Sequence, residues 1–181
     1  MSGTLQVGGV TLATHTESPS TLTLDSGVVF PAGSIVGWEQ VTTVPTAIQG
    51  ADETYTNLTG STKSYTPPTG ASYVVYEYST MITGDDSFFE SLPLIKFILD
   101  GSEVSNTNHG FYQNFGHGGG STGYKNFRFI VSAWSGEKTM SLQYRRYGSV
   151  YRQRIHQSKY SGDATNTNVY TNIYQVTYSV M

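Results

Sequence analysis

The segment SYVVYEYSTMIT, residues 72–83, decides the fold class. Apolar and aromatic side chains recur along it so that both faces of an extended chain carry large groups. A period of two residues is typical of a β-strand, and large groups on both faces are typical of a strand in the middle of a sandwich. The segment therefore predicts a central strand of an antiparallel β-sandwich.

Strands of the same kind are indicated further along the chain. The apolar run at residues 94–99 ends in Asp100-Gly101, a pair that favours a two-residue hairpin turn because both turn positions need positive φ. Further strands are indicated at residues 124–134, 139–147, 150–155 and 169–180. No convincing helical pattern is present. Several short strands at regular spacing predict an all-β, jelly-roll-like antiparallel sandwich.

Shorter strands are indicated before residue 40. Residues 4–7, 10–12 and 21–24 alternate apolar and small polar side chains, and turn residues separate them. Strands this short do not bury a face alone, because an isolated hairpin is at best marginally stable in water. We therefore expect residues 1–40 to form a β-rich N-terminal anchor or stalk, and residues 41–181 to form the jelly-roll head. The need for a partner is the first argument for an oligomer.

The composition excludes several classes of protein. Charged residues make up 13% of the chain, about half the usual share of roughly 25%, but 14 Tyr, 8 Phe and 2 Trp are enough to build a core. Cys is absent, which excludes disulfide frameworks and thiolate metal sites. No apolar run approaches the roughly 18–20 residues of a membrane span, and the first residues lack the pattern of a signal peptide. We expect a protein made in a cytoplasm and not inserted into a membrane.

Charge is distributed unevenly along the chain. Residues 1–90 contain nine acidic residues and one basic residue, whereas residues 91–181 contain four acidic and nine basic residues. This difference favours packing of the two halves against each other or against neighbouring subunits. The alternative interpretation is an assembly with an acidic base and a basic outward face. The basic residues do not form the strongly basic patch that phosphate neutralisation requires, so no nucleic-acid partner is expected.

An alternation of aromatic and basic residues is the strongest candidate for a functional surface. If Gly148-Ser149 closes a hairpin, the two flanking strands pair, and one face alternates Tyr with Arg. Arg stacks on Tyr rings and binds carboxylates or phosphates with its planar fork. The candidate binding residues are Tyr144, Arg146, Tyr151, Arg152, Arg154 and His156. Three roles fit them: a subunit interface, an exposed cross-strand ladder, or a site for an acidic partner surface or an anionic glycan.

The residues that could bind a metal or act as acid and base are the His residues and two acidic pairs. The four His residues are far apart in sequence and lack zinc-ligand spacing. In each acidic pair, Asp52-Glu53 and Asp85-Asp86, adjacent side chains of an extended chain point to opposite faces, so neither pair supplies two carboxylates facing one cleft. We therefore expect no enzymatic activity, no metal and no cofactor.

The order of the elements resembles that of virion proteins of tailed bacteriophages, especially marine, cyanophage-type ones. The segments that carry this resemblance are residues 4–7, 21–24, 28–35 and 174–180 around a jelly-roll-like body. The heads of such proteins are similar to complement-type and tumour-necrosis-factor-like trimeric jelly rolls, and residues 97–104 and 127–134 look like strands of such heads. The resemblance implies a homotrimer without a cofactor.

The expected function is that of a non-enzymatic virion structural protein, a capsid decoration or knob protein or a fibre protein, that presents an adhesive surface. Its expected partners are copies of itself, other virion proteins such as the major capsid or tail protein, and a host surface glycan. The alternatives are a tail fibre tip that binds a host receptor, a carbohydrate-binding lectin-like module and, last, a jelly-roll glycan lyase or depolymerase. The expected location is the virion, after synthesis in the host cytoplasm.

Overall fold

A computed structural model describes most of the chain. The described residues are 3–7, 9–17, 20–24, 30–46, 49–50, 52–84, 90–91, 93–104, 109–110, 113–114, 122–146, 153–158, 169–170 and 172–181. Within these ranges every regular element is a β-strand and every strand pair is antiparallel. The predicted all-β fold class is confirmed. The chain divides into two compact units, Met1–Ser34 and Ile35–Met181.

The first unit is a three-stranded sheet. Its strands are β1 (Gly3–Val7), β2 (Val10–Glu17) and β3 (Ser20–Leu24), in the order β1-β2-β3. The strands predicted at residues 4–7, 10–12 and 21–24 all lie in this sheet. Ala13 is buried, but Leu5 and Val7 are exposed, as expected for a single small sheet that cannot cover both of its faces.

The second unit, which we call the body, begins at Ile35. Its strands are β4 (Ile35–Thr43), β5 (Gln49–Gly50), β6 (Thr56–Asn57), β7 (Lys63–Tyr65), β8 (Tyr73–Gly84), β9 (Glu90–Ser91), β10 (Pro93–Leu99), β11 (Ser102–Glu103), β12 (His109–Gly110), β13 (Gln113–Asn114), β14 (Thr122–Ser132), β15 (Lys138–Arg146), β16 (Gln153–Ile155), β17 (Gln157–Ser158), β18 (Val169–Tyr170) and β19 (Ile173–Val180). They form two six-stranded sheets and two small sheets, β9 with β13 and β17 with β18. The predicted division at residue 40 falls inside β4, whose partner is β19 of the body.

The first large sheet is built around β8, the strand predicted from residues 72–83. β14 pairs with one edge of β8 along almost its whole length, while β19 and then β16 pair with the other edge. β4 continues the sheet beyond β19, and β5 continues it beyond β16. We call this the β8 sheet. The prediction of a central strand is confirmed, because β8 is hydrogen-bonded on both sides.

The second large sheet is built around β15. β10 pairs with one edge of β15, and β6 and β7 pair with the other. β10 turns into β11 through Asp100 and Gly101, which both have positive φ, at 48° and 78°. The hairpin predicted from Asp100-Gly101 is therefore confirmed. We call this the β15 sheet.

The core lies between these two sheets. Phe97 of β10 is fully buried, and its ring centroid lies 5.4 Å from that of Phe129 on β14 and 5.7 Å from that of Tyr76 on β8. Large buried side chains come from both sheets and include Tyr76, Tyr78, Ile82, Phe129, Ile95, Met140, Leu142 and Tyr144. Burial of these groups is the main favourable contribution to folding. Several of the aromatic residues that set this sequence apart thus lie in the interior of a sandwich.

A buried hydroxyl joins a loop to β15, and it provides a test of the fold. Ser61 Oγ donates to the Leu58 carbonyl at 2.6 Å and accepts from the Leu142 backbone N–H at 3.0 Å. Ser61→Ala leaves that buried N–H without its partner, so we expect the free energy of unfolding to fall by about 1–3 kcal/mol. Urea unfolding measures the loss. Ser64→Ala, at an exposed position of β7, is the matched control, and an equal small effect of both substitutions would contradict the role given to Ser61.

Candidate functional site

The outward faces of the two large sheets differ in character. Eight large apolar side chains are exposed among the described residues of the body: Ile35, Trp38, Val41, Val44, Tyr73, Tyr124, Ile130 and Tyr174. All except Val44 belong to strands of the β8 sheet. The described strands of the β15 sheet contribute none of them. The exposed large apolar side chains are therefore concentrated on the β8 sheet, whose outward face also carries the Arg128–Glu77 ion pair.

The polar face carries a compact group of side chains beside Arg145. Its members are Tyr55, Asn57, Leu94, Lys96, Gln143 and Arg145, and we call them the Arg145 patch. In the strand register Gln143 lies between Lys96 and Asn57, and Arg145 lies opposite Leu94. These positions alternate with the buried residues of β10 and β15, so their side chains point away from the core.

Cations and an aromatic ring meet within the patch. Lys96 Nζ lies 4.4 Å from the centroid of the Tyr55 ring, and Arg145 Cζ lies 5.2 Å from it. Both distances are within the range of a favourable cation–π interaction, which contributes about 0.5–1 kcal/mol at an exposed site. Gln143 Nε2 donates to Asn57 Oδ1 at 3.1 Å. These contacts hold two positive charges and two amides together on one surface.

Arg145 differs from the neighbouring cations in its pairing. Lys96 forms an ion pair with Glu103 at 2.9 Å, and Arg146 approaches Glu53 at 3.7 Å. For Arg145, the contacts seen within the described ranges are the Tyr55 ring and a 3.5 Å contact from Nη1 to the Glu53 carbonyl. No carboxylate in those ranges lies at ion-pair distance from it. The guanidinium is thus a partly exposed charge available to an external anion.

The structure places two of the predicted site residues on the other side of β15 from Arg145. Tyr144 is fully buried, and its hydroxyl donates to the Gly50 carbonyl. Burial raises the pKa of Tyr144 to about 12. Arg146 is largely covered, and its backbone N–H donates to the Asp52 carbonyl at 2.8 Å. The interpretation of Tyr144 as a surface binding residue was therefore wrong, because alternation along β15 turns its ring into the core.

The hairpin predicted between residues 144–147 and 151–156 is also not formed. β15 pairs with β10, β6 and β7, whereas β16 pairs with β8 and β5 in the other sheet. The chain therefore crosses between the sheets instead of turning back on itself. Tyr151 and Arg152 lie outside the described residues. The backbone of Arg154 pairs with Thr83 and Gly50. Arg154 therefore does not lie on a strand paired with that of Tyr144.

His156 is a structural residue that lies between β16 and β17. It is fully buried, adopts a positive φ of 71°, and donates its backbone N–H to the Met81 carbonyl at 2.9 Å. Its Nδ1 is 2.8 Å from Thr80 Oγ1. Burial lowers the pKa of His156 to about 4, and the Thr59 backbone offsets part of this effect. The predicted surface role was wrong, because the ring is enclosed and neutral at pH 7.

The uneven charge of the two halves is partly resolved by pairing within the body. Arg128 of β14 binds Glu77 of β8 at 2.5 Å, and Arg146 approaches Glu53. Each pair joins a basic residue of the second half to an acidic residue of the first. The other two ion pairs of the described residues, Lys63–Glu39 and Lys96–Glu103, each lie within one half, so pairing between the halves accounts for only part of the uneven charge.

The sequence interpretation missed the members of the Arg145 patch, although a signal for two of them was present. Met140, Leu142 and Tyr144 form an apolar alternation in β15, and all three are buried. Assigning those positions to the core would have assigned Gln143 and Arg145 to the outward face. The contribution of Tyr55 had no local signal, because it depends on the pairing of β6 with β15.

Metal sites, membrane-spanning helices and a nucleophile elbow are the other features relevant to function. The described residues contain no group of three or more His, Asp or Glu that could hold a metal ion, and no helix with the length and apolarity needed to cross a membrane. Residues 119–123 read GGSTG, which matches the Gly-x-Ser-x-Gly pattern of a nucleophile elbow. That motif requires a turn from a strand into a helix, whereas here Thr122 and Gly123 begin β14. The other three residues of this match, 119–121, lie outside the described residues.

Comparison with known proteins gives weak likenesses. No protein-family model and no curated protein matches the sequence. Among solved structures, the chain is similar to the EclA C-terminal domain, a sugar-binding protein, with a TM-score of 0.34 and 13% identity over 72% of this chain and 80% of that one. It is also similar to dimeric latent PorU from Porphyromonas gingivalis, with a TM-score of 0.35 and 8% identity over 86% of this chain and 14% of that one. Likenesses at this level carry no argument about function.

Proposed function

We propose that this chain is a non-enzymatic structural protein of a bacteriophage virion, which assembles into a homotrimer and presents an adhesive surface. The observation that carries the proposal is the apolar outward face of the β8 sheet. The assignment to a virion is supported by the resemblance of the element order to phage virion proteins. The apolar outward face of the β8 sheet supports self-association, and the polar face of the β15 sheet supports adhesion.

The apolar face has the composition of a protein interface. Ile130 is 60% exposed, Tyr73 51% and Tyr124 48%. All three belong to β8 or β14, two long strands that pair with each other along their length. Tyr124 also lies beside Tyr174, with ring centroids 6.4 Å apart. Exposed apolar and aromatic side chains mark interaction sites, and Tyr is enriched in them; here they surround the Arg128–Glu77 ion pair on the same face. We expect copies of this chain to pack on the outward face of the β8 sheet, because such an assembly leaves the outward face of the β15 sheet free for adhesion.

The N-terminal unit supports attachment to another virion protein. Leu5 and Val7 are 61% and 63% exposed on a three-stranded sheet that has little core of its own. Burying these side chains against a partner would stabilise the sheet by removing apolar surface from water. The major capsid protein and a tail protein are the expected partners for this unit.

Self-association is tested by the mass of the protein in solution. At micromolar concentration we expect a species of three times the 19.8 kDa of one chain, measured by mass photometry. Ile130→Glu places a charge on the apolar face and is expected to yield a monomer, because an unpaired buried charge is costly in an interface. Val44→Glu is the matched control, since Val44 is 66% exposed but lies beyond the end of β4. A stable wild-type monomer would overturn the homotrimer.

The position on the particle distinguishes the two virion roles. Imaging of labelled particles is expected to show many copies spread over the capsid, as required of a decoration protein. Copies confined to the tail would instead support a fibre tip that binds a host receptor.

The second candidate function is that of a carbohydrate-binding module. The Arg145 patch favours it, because a Tyr ring, two amides and two cations lie together on the outward side of the β15 sheet. In this role the protein would bind its ligand without any requirement for a virion.

A further inference from the structure

We infer that the Arg145 patch binds an acidic oligosaccharide, one that carries a carboxylate or sulfate among its hydroxyls. This inference rests on the adhesive part of the proposed function and does not depend on self-association. Four properties of the patch support it: its size, its charge, its amides and its apolar members.

The size of the patch suits a short saccharide. It covers β10, β15 and β6, and neighbouring strands lie about 4.8 Å apart. Side chains on one face recur about every 7 Å along a strand, so the two rows of the patch cover an area roughly 10 Å by 7 Å. A few linked sugar rings would lie across such an area.

The charge of the patch suits one acid group. The Arg145 guanidinium has no carboxylate partner within the described part of the chain, and its fork can bind a carboxylate or a sulfate through two parallel hydrogen bonds. Lys96 adds positive potential, but it already pairs with Glu103 at 2.9 Å. Among the residues that the structure describes, the site therefore offers one cation without a carboxylate partner beside a second cation that is partly neutralised.

The amides of the patch suit hydroxyl groups. Gln143 Nε2 donates to Asn57 Oδ1, and this bond uses one donor of Gln143 and one lone pair of Asn57. Each amide keeps further donors and acceptors for a ligand, and their mutual bond fixes both of them in place. Sugar hydroxyls both donate and accept, so they can use the two kinds of group together.

The apolar members of the patch suit the carbon face of a sugar ring. Leu94 and Tyr55 flank Arg145 on its two sides, and both are partly exposed. An acidic peptide is the competing ligand for a basic surface. It would offer several carboxylates and no hydroxyls, whereas this patch has a single unpaired guanidinium and two amides. The arrangement therefore favours an acidic saccharide.

The inference is tested by isothermal titration calorimetry with defined probes. The probes are a galacturonate hexamer, a sulfated carrageenan hexasaccharide, which has no carboxylate, neutral maltohexaose and a hexaglutamate peptide. We expect one or both anionic saccharides to bind, with the two probes distinguishing carboxylate from sulfate, and maltohexaose and hexaglutamate to bind at least tenfold more weakly. Arg145→Gln is expected to weaken binding about ten- to hundredfold, the effect of losing a charge-assisted hydrogen bond.

Matched variants separate this site from general charge attraction and from assembly. Arg128→Gln removes the same charge from the outward face of the other sheet, where Arg128 pairs with Glu77, and it is expected to leave the affinity unchanged. Ile130→Glu is expected to bind the saccharide as the wild type does, whatever its oligomeric state. Equal losses in the two Arg variants, no binding of either anionic saccharide, or equal binding of maltohexaose or hexaglutamate would each overturn the inference.

Discussion

Phe97→Ala is expected to lower the free energy of unfolding by about 3–5 kcal/mol, a large part of the stability of a typical domain. Phe97 is fully buried, and its ring contacts Phe129 and Tyr76 of the opposing sheet. Truncation removes apolar burial and leaves a cavity between two sheets that cannot close without moving β10 against β8 and β14. The loss thus affects the packing that joins the two layers.

Chemical denaturation monitored by far-ultraviolet circular dichroism measures this effect. Val44→Ala removes apolar side-chain atoms at an exposed position and is expected to change stability by less than about 0.5 kcal/mol. A Phe97→Ala loss below about 1 kcal/mol would contradict the placement of this ring at the centre of the core.

Acidification is expected to destabilise the body by about 3 kcal/mol through His156 alone. The folded state holds the pKa of His156 at about 4, whereas an unfolded His titrates near 6.5. Between these values the unfolded chain binds a proton that the folded chain does not, so stability falls as pH decreases. The contribution is fully present above pH 6.5 and is lost progressively as the pH falls to about 4, at about 1.4 kcal/mol per pH unit.

The pH dependence of urea unfolding, compared between wild type and His156→Asn, isolates this contribution. Asn is a suitable replacement because it tolerates positive φ better than most residues and keeps a polar group near Thr80. Carboxylates titrate in both proteins, so their effect cancels in the comparison. Identical slopes between pH 6.5 and 4 would show that His156 does not titrate as its burial requires.

The elements that could be predicted from the sequence are those with a local signal. The period of two along β8 and the Asp100-Gly101 turn depend on neighbouring residues only, and both are observed. The boundary of the N-terminal unit could not be found in this way. β4 belongs to the body because it pairs with β19, more than a hundred residues further along the chain, and nothing in residues 35–43 indicates that partner.

The candidate site could be predicted only in part for the same reason. The predicted site at residues 144–156 includes the end of β15, but it assumed that β15 pairs with the next strand of the chain. Tyr55, Lys96 and Arg145 come from three separate segments, and the registers of β6 and β10 against β15 bring them together. Strand register depends on the packing of the whole sandwich, so a local pattern does not reveal it.

The position of β8 between β14 and β19 has a consequence for how the protein is made. β19 begins roughly ninety residues after β8 ends, so during synthesis the central strand leaves the ribosome long before both of its neighbours exist. Loop-closure entropy must be overcome before such distant strands pair, which slows folding. In that interval the aromatic face of β8 remains exposed and prone to aggregation.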